Sequence, residues 1–256
     1  MTDYNLKNNK IESNFTRNTS KNSAWKRLTS HLFSKNTLNA FDYFLIIGTI
    51  VTVIGISIIE SEFDTIGSIV TIAGVINVVL AAKGSISNYL FGIITTVFYA
   101  IVSYKGEIYG EAALFAFFNL PMQFIGWYNW NKTRQSKDQS KVQSLKMTLK
   151  ERIIWSIIAL AGTIVLGLIL DRFEGHQPYK DSFVTILSII AMYLMVKAFF
   201  EQWYIWIVIN IMNIIIWVIA IQNGVEHAAL MIVMWTFYLA NAVNGLICWK
   251  KANKVG

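Results

Sequence analysis

The sequence predicts an all-α integral membrane protein of eight transmembrane helices. Three observations carry that expectation. Hydrophobic residues make up 55% of the 256 and charged residues only 14%, so one soluble core could not hide the apolar surface. Apolar runs long enough to cross a bilayer of ~30 Å as helices follow one another from residue 41 to residue 248. Lys and Arg alternate between rich and poor in the segments joining those runs, as an even number of crossings requires. The 9 Trp and 11 Tyr, many near run ends, suit interfacial belts.

Residues 1–23 are rich in Asn, Ser, Thr and Lys and read as disordered, with no basic start, short apolar stretch and cleavage site of a secretory leader. In 24–38, Trp25, Leu28, Leu32 and Phe33 share one helical face opposite Lys26, Arg27 and Lys35. That segment is either a helix lying on an anionic membrane surface or a basic linker. The apolar spans are 41–59, 65–82, 86–104, 110–130, 152–170, 182–199, 202–221 and 226–248. The first loop carries Glu60, Glu62 and Asp64. The fourth is basic, with Lys132, Arg134, Lys137, Lys141, Lys146, Lys150 and Arg152, and the tail has Lys250, Lys251 and Lys254. Both termini are therefore expected in the cytoplasm, and the net charge of +7 reads as topology rather than as nucleic-acid binding.

A repeat organises the spans. Spans two to four and six to eight share a Gly-containing polar turn, Lys105-Gly106-Glu107 in one and Gln222-Asn223-Gly224 in the other. Each continues through Ala-Ala-Leu, at 112–114 and 228–230, and ends in Trp and Lys, at Trp130 and Lys132 and at Trp249 and Lys250. By the loop count the triplets run parallel, and span five resets the direction. The expected division is a cytoplasmic tail over 1–40, an extra transmembrane helix over 41–62 and a three-helix unit over 63–132. A basic loop with a linker helix follows over 133–180, then a second three-helix unit over 181–250 and a tail over 251–256. Repeat-built transporters place their substrate between such units.

The polar residues at membrane depth point to what lies there. Trp203, Trp206, Asn210, Asn213 and Trp217 are spaced three, four, three and four apart, which puts them on one stripe of span seven. Asn119, Gln123 and Trp127 share a stripe of span four, and Tyr238, Asn241 and Asn244 one of span eight, with Trp235 a turn earlier. Asn77, Thr95, Thr96 and Tyr99 also sit deep. Buried amides need partners, so two readings are open: bonds between helices, or a site for a flat, polar-edged aromatic solute. Pro121 beside Asn119 is a candidate kink. No ionisable residue falls near the centre of a span, with Glu111, Lys197 and Glu201 at edges, which disfavours a proton-coupled pump. Cys248 stands alone and the 3 His are dispersed, so no metal site or cofactor is expected. No nucleophile has a base, so the chain does not read as an enzyme.

Ser85-Ile86-Ser87-Asn88-Tyr89 followed by Phe91-Gly92, and Gly126-Trp127-Tyr128-Asn129-Trp130, resemble motifs of the PnuC family of nicotinamide riboside transporters. So do Leu187-Ser188-Ile189 with Ala191-Met192, and Glu201-Gln202-Trp203 with Trp206 and Ile209-Asn210. The resemblance runs from about residue 65 to the end, with the tail and last helix departing most. It implies a SWEET-like core of three plus one plus three helices, with the extra N-terminal helix outside it. It implies import of nicotinamide riboside by facilitated diffusion across a bacterial inner membrane, trapping by a cytoplasmic riboside kinase, and a homo-oligomer, a trimer. The candidate substrate-binding residues are Gln123, Trp127, Asn210, Asn213, Asn241, Asn88, Tyr99 and Trp217. Trp130, Trp203 and Trp206 are candidate gates or interfacial anchors. Import of another small vitamin such as thiamine, or ligand sensing at the membrane, are the alternatives.

Overall fold

A computed structural model describes residues 38–61, 63–132, 142–172 and 178–254. The candidate interfacial helix over 24–38 lies, apart from Leu38, outside the described residues, as do residues 133–141 of the basic loop.

Helix α1 spans Ala40–Glu60 and starts at a capping box. The Asn39 side chain accepts from the Asp42 N–H at 3.0 Å, and the Asp42 carboxylate accepts from the Asn39 N–H at 2.6 Å. Helix α2, Thr65–Ala82, is capped by Asp64, which accepts from the Gly67 N–H at 2.8 Å. Helix α3 covers Asn88–Lys105. The next rod is in three pieces: α4 Tyr109–Ala113, a π segment Leu114–Asn119, and α5 Leu120–Lys132. Pro121 explains the break. It lacks an N–H, and its ring would collide with the carbonyl four residues back, so the chain widens by one residue just before it. Four helices follow: α6 Leu149–Arg172, α7 Pro178–Val196, α8 Gln202–Gln222 and α9 Ala228–Lys254. Among the described residues, α1, α2, α6, α8 and α9 are long and apolar enough to cross a membrane by length and composition.

The packing sorts these helices into centre and rim. Most of α2 is buried, whereas Gly167 is the buried residue of α6. Helix α6 therefore turns its apolar surface outward and meets the bundle through α7. Helix α9 packs on α8, α2 and α1, and α2 packs on α3. Helix α1 is held by a buried ion pair, Asp42 to Lys83 at 2.7 Å, where Lys83 follows α2. On the opposite end, Asp64 and His227 pair across the starts of α2 and α9.

Two alike turns close the Lys83 end. Residues 83–87 and 197–201 each carry a left-handed residue, Gly84 with φ 66° and Ala198 with φ 60°. The segment 142–148 laces them together. The Val142 N–H donates to Gly84 O at 3.0 Å, Leu145 N–H donates to Ala198 O at 2.7 Å, and Leu145 O accepts from Phe200 N–H at 2.9 Å. Glu201 anchors the lace, accepting from the Met147 N–H at 3.1 Å and pairing with Arg152 at 2.7 Å.

Candidate binding cavity

A cavity of about 90 Å³ lies inside the bundle, room for several waters where one needs ~10–15 Å³. Its walls come from α2, α3, the broken rod, α7, α8 and α9. Half of the residues that face it are aromatic or amide: Trp203, Trp206, Phe115, Trp235 and Tyr238, with Asn77, Asn119, Gln123, Asn210, Asn213 and Asn241. Thr95, Thr96 and Ser188 add hydroxyls.

The amides are not serving as glue between helices through their oxygens. The side-chain oxygens of Asn77, Gln123, Asn210, Asn213 and Asn241 are buried and accept from no protein group. Two of these side chains are aimed by their amino ends: Asn213 donates to Ile209 O at 3.1 Å, and Asn241 donates to Val78 O at 2.7 Å. Five such oxygens around one cavity have no protein donor, so their hydrogen bonds go to water or to a ligand. Glu111 is the one charged side chain among the described lining residues. Its carboxylate accepts the O–H of Tyr99.

Aromatic clusters flank the cavity at both ends. On one side Tyr99 gathers Phe115, Trp217 and Trp235, with ring centroids 4.3, 6.1 and 5.7 Å from its own. Trp217 and Trp235 both donate their indole N–H to the Tyr99 oxygen, at 2.9 and 3.2 Å. On the other side Tyr89 meets Trp130 edge-on at 5.1 Å, and Trp203 meets Trp249 edge-on at 5.8 Å. The Trp130 N–H donates to Met195 O at 3.0 Å, and the Trp249 N–H donates to Ala82 O at 2.9 Å. Each pair needs a glycine one turn before its second Trp. A Cβ at Gly126 would come within 2.3 Å of the Tyr89 ring, and one at Gly245 within 2.8 Å of the Trp203 indole.

A family model described as nicotinamide mononucleotide transporter matches residues 64–251. The nicotinamide riboside transporter PnuC of Neisseria mucosa is 33% identical over 192 residues, covering 74% of this chain and 73% of that protein. This chain belongs to the PnuC family. The PnuC of Haemophilus influenzae is 32% identical over 184 residues, 72% of this chain and 78% of that protein. A crystal structure described as the vitamin B3 transporter PnuC superposes with a TM-score of 0.78 at 30% identity, over 90% of this chain and 97% of that one. Membership makes the chain a helical membrane transporter and not an enzyme.

In this PnuC-family chain the sequence-named residues divide. Gln123, Asn210, Asn213 and Asn241 line the cavity, together with Trp203 and Trp206. Trp127, Trp130, Asn88, Tyr99 and Trp217 do not. Trp127 packs half-buried against the Trp130 cluster. Asn88 turns back into its own loop and donates to Ser85 O at 2.6 Å. Trp217 stands one turn beyond Asn213, with its N–H spent on Tyr99, and Tyr99 stands behind Glu111. Trp130 and Trp203 are buried, 1% and 4% exposed, which does not fit interfacial anchors. Among the lining residues absent from the candidate set, Asn77, Thr95, Thr96, Asn119, Trp235 and Tyr238 carried a signal as polar or aromatic groups at depth. Glu111 is the correction. Its place in sequence suggested an interface, but its side chain lines the cavity and its carboxylate is held there by Tyr99.

Proposed function

We propose that this chain imports nicotinamide riboside by facilitated diffusion through the cavity, opening to each side of the inner membrane in turn. The observation that carries the reading is the lining: aromatic faces, five amide oxygens without a protein donor, and no Lys, Arg or His among the described lining residues. The riboside has a flat cationic ring for the Trp faces, and its ribose hydroxyls and carboxamide amino group supply the donors those oxygens lack. A mononucleotide would bring a phosphate to a wall of carbonyl oxygens and one carboxylate, with no basic partner. The family description names the mononucleotide and the curated relatives the riboside; the lining favours the riboside. Gln123, Asn210, Asn213 and Asn241 are the proposed ligand contacts.

The architecture in this reading is eight membrane helices arranged three plus one plus three, SWEET-like, with α1 added. Matching pairs of features support it. The turns 83–87 and 197–201 stand 114 residues apart, and the same interval carries Tyr89 to Trp203 and Thr96 to Asn210. In the third helices Gly126 and Trp130 match Gly245 and Trp249 at an interval of 119, which sets the Ala-Ala-Leu segments three residues out of register. The two crossed Trp bonds, Trp130 to Met195 and Trp249 to Ala82, each tie one unit's third helix to the other unit's first. The Lys-rich end, with both termini, faces the cytoplasm. A riboside kinase traps the imported substrate there, and the chain assembles as a homo-trimer.

Uptake of labelled riboside into vesicles holding the purified protein and no kinase tests the mechanism. With the membrane potential clamped at zero, the inside concentration should rise to the outside value and stop, with or without a proton or sodium gradient. Accumulation beyond it contradicts facilitated diffusion.

A further inference from the structure

We propose that the Glu111 carboxylate, positioned by Tyr99, is the group by which this cavity reads the charge of the ring; this rests on the riboside reading above. A tyrosine O–H has one hydrogen to give and two lone pairs to fill. Both lone pairs of Tyr99 are taken by the indole N–H groups of Trp217 and Trp235. Its hydrogen is therefore left for Glu111, which accepts it. Tyr99 is fully buried and ringed by Phe115, Trp217 and Trp235, so the hydroxyl has no other direction to take. That bond holds the carboxylate at one place in the cavity wall.

The rest of the lining makes this distinction less sharply, by cation–π attraction to the indole faces alone. Amides bind ribose hydroxyls and a carboxamide whatever the charge on the ring, and indole faces stack on neutral rings as well as cationic ones. Glu111 is the single charged side chain among the described lining residues, so a cation there meets one opposite charge. An attraction across ~5 Å at an effective dielectric near ~20 is worth at least about tenfold in affinity. Tyr99 is a positioning residue in this scheme; it touches Glu111 and does not line the cavity.

The test compares nicotinamide riboside with its neutral 1,4-dihydro form, which keeps the ribose and the carboxamide. Calorimetry on the full-length protein in detergent gives both affinities, and the readout is their ratio. Glu111→Gln should lower the preference for the cation about tenfold, while Glu111→Asp should keep it within about threefold of wild type. If the Gln variant does not fold, Glu111→Ser carries the same comparison. A purely structural role weakens both ligands alike. An unchanged ratio in the neutral variant therefore overturns this inference and leaves the riboside reading standing. Wild-type protein that binds neither form overturns that reading, and this inference with it.

Discussion

Asn210 shows at the residue scale how function is written as a local defect. It is 2% exposed, its side-chain oxygen meets no protein donor, and an apolar side chain of similar size gives up no bond to protein through that oxygen. Asn210→Leu should therefore leave the melting temperature of the ligand-free protein unchanged or higher, and weaken the riboside about tenfold or more. Thermal unfolding and calorimetry on the same preparation check both halves. The Trp and Asn spacing of α8 made four of its five stripe residues legible, because helical periodicity fixes which side chains share a face. It could not say where along that face the cavity stops. Trp217, one turn past Asn213, is taken by Tyr99 instead. Glu111 was illegible for another reason. Hydropathy marks a carboxylate near a run's end as interfacial, and only the packing of α3 against the broken rod shows that Tyr99 receives it.

Helix boundaries were legible to within a few residues, since the apolar runs and the turns between them coincide with α1 to α9. The irregular element was partly legible. Pro121 announced a disturbance, but not that the chain would answer with a π segment over Leu114–Asn119. That segment adds a residue between Glu111 and Gln123, and so sets their relative rotation about the rod. Pro121→Ala restores a backbone donor and lets the segment return to a regular helix. Uptake in vesicles should fall several-fold while thermal stability holds or rises. The first helix depends on one buried pair. Asp42 is inaccessible to solvent and Lys83 part-exposed, at 2.7 Å. Asp42→Ala leaves the part-exposed Lys83 ammonium without its partner and removes the reciprocal half of the capping box, and should cost about 2 kcal/mol of stability, read as a lowered melting temperature.

At the scale of the whole molecule, two aromatic clusters bracket one amide-lined cavity, and each is tied by indole bonds between helices far apart in sequence. The parallel units proposed here would rock about that cavity, with 142–148 lacing their Lys83 and Lys197 turns. Trp130→Phe removes the bond to Met195 O while keeping the ring. It should cost about 1 kcal/mol of stability and raise the vesicle uptake rate if that cluster limits opening. The proposed repeat is faint in sequence because its two copies would share turns, glycines and Trp positions rather than identities. Tyr89 and Trp203 play one part with different side chains.

The central claim is that unpaired amide oxygens and aromatic faces, with no basic group among the described lining residues, receive a riboside and reject its phosphate ester. Calorimetric titration of the purified protein with nicotinamide riboside and nicotinamide mononucleotide tests it most directly. The account predicts saturable binding of the riboside and binding of the mononucleotide weaker by about a hundredfold or more. Equal or tighter binding of the mononucleotide would contradict it.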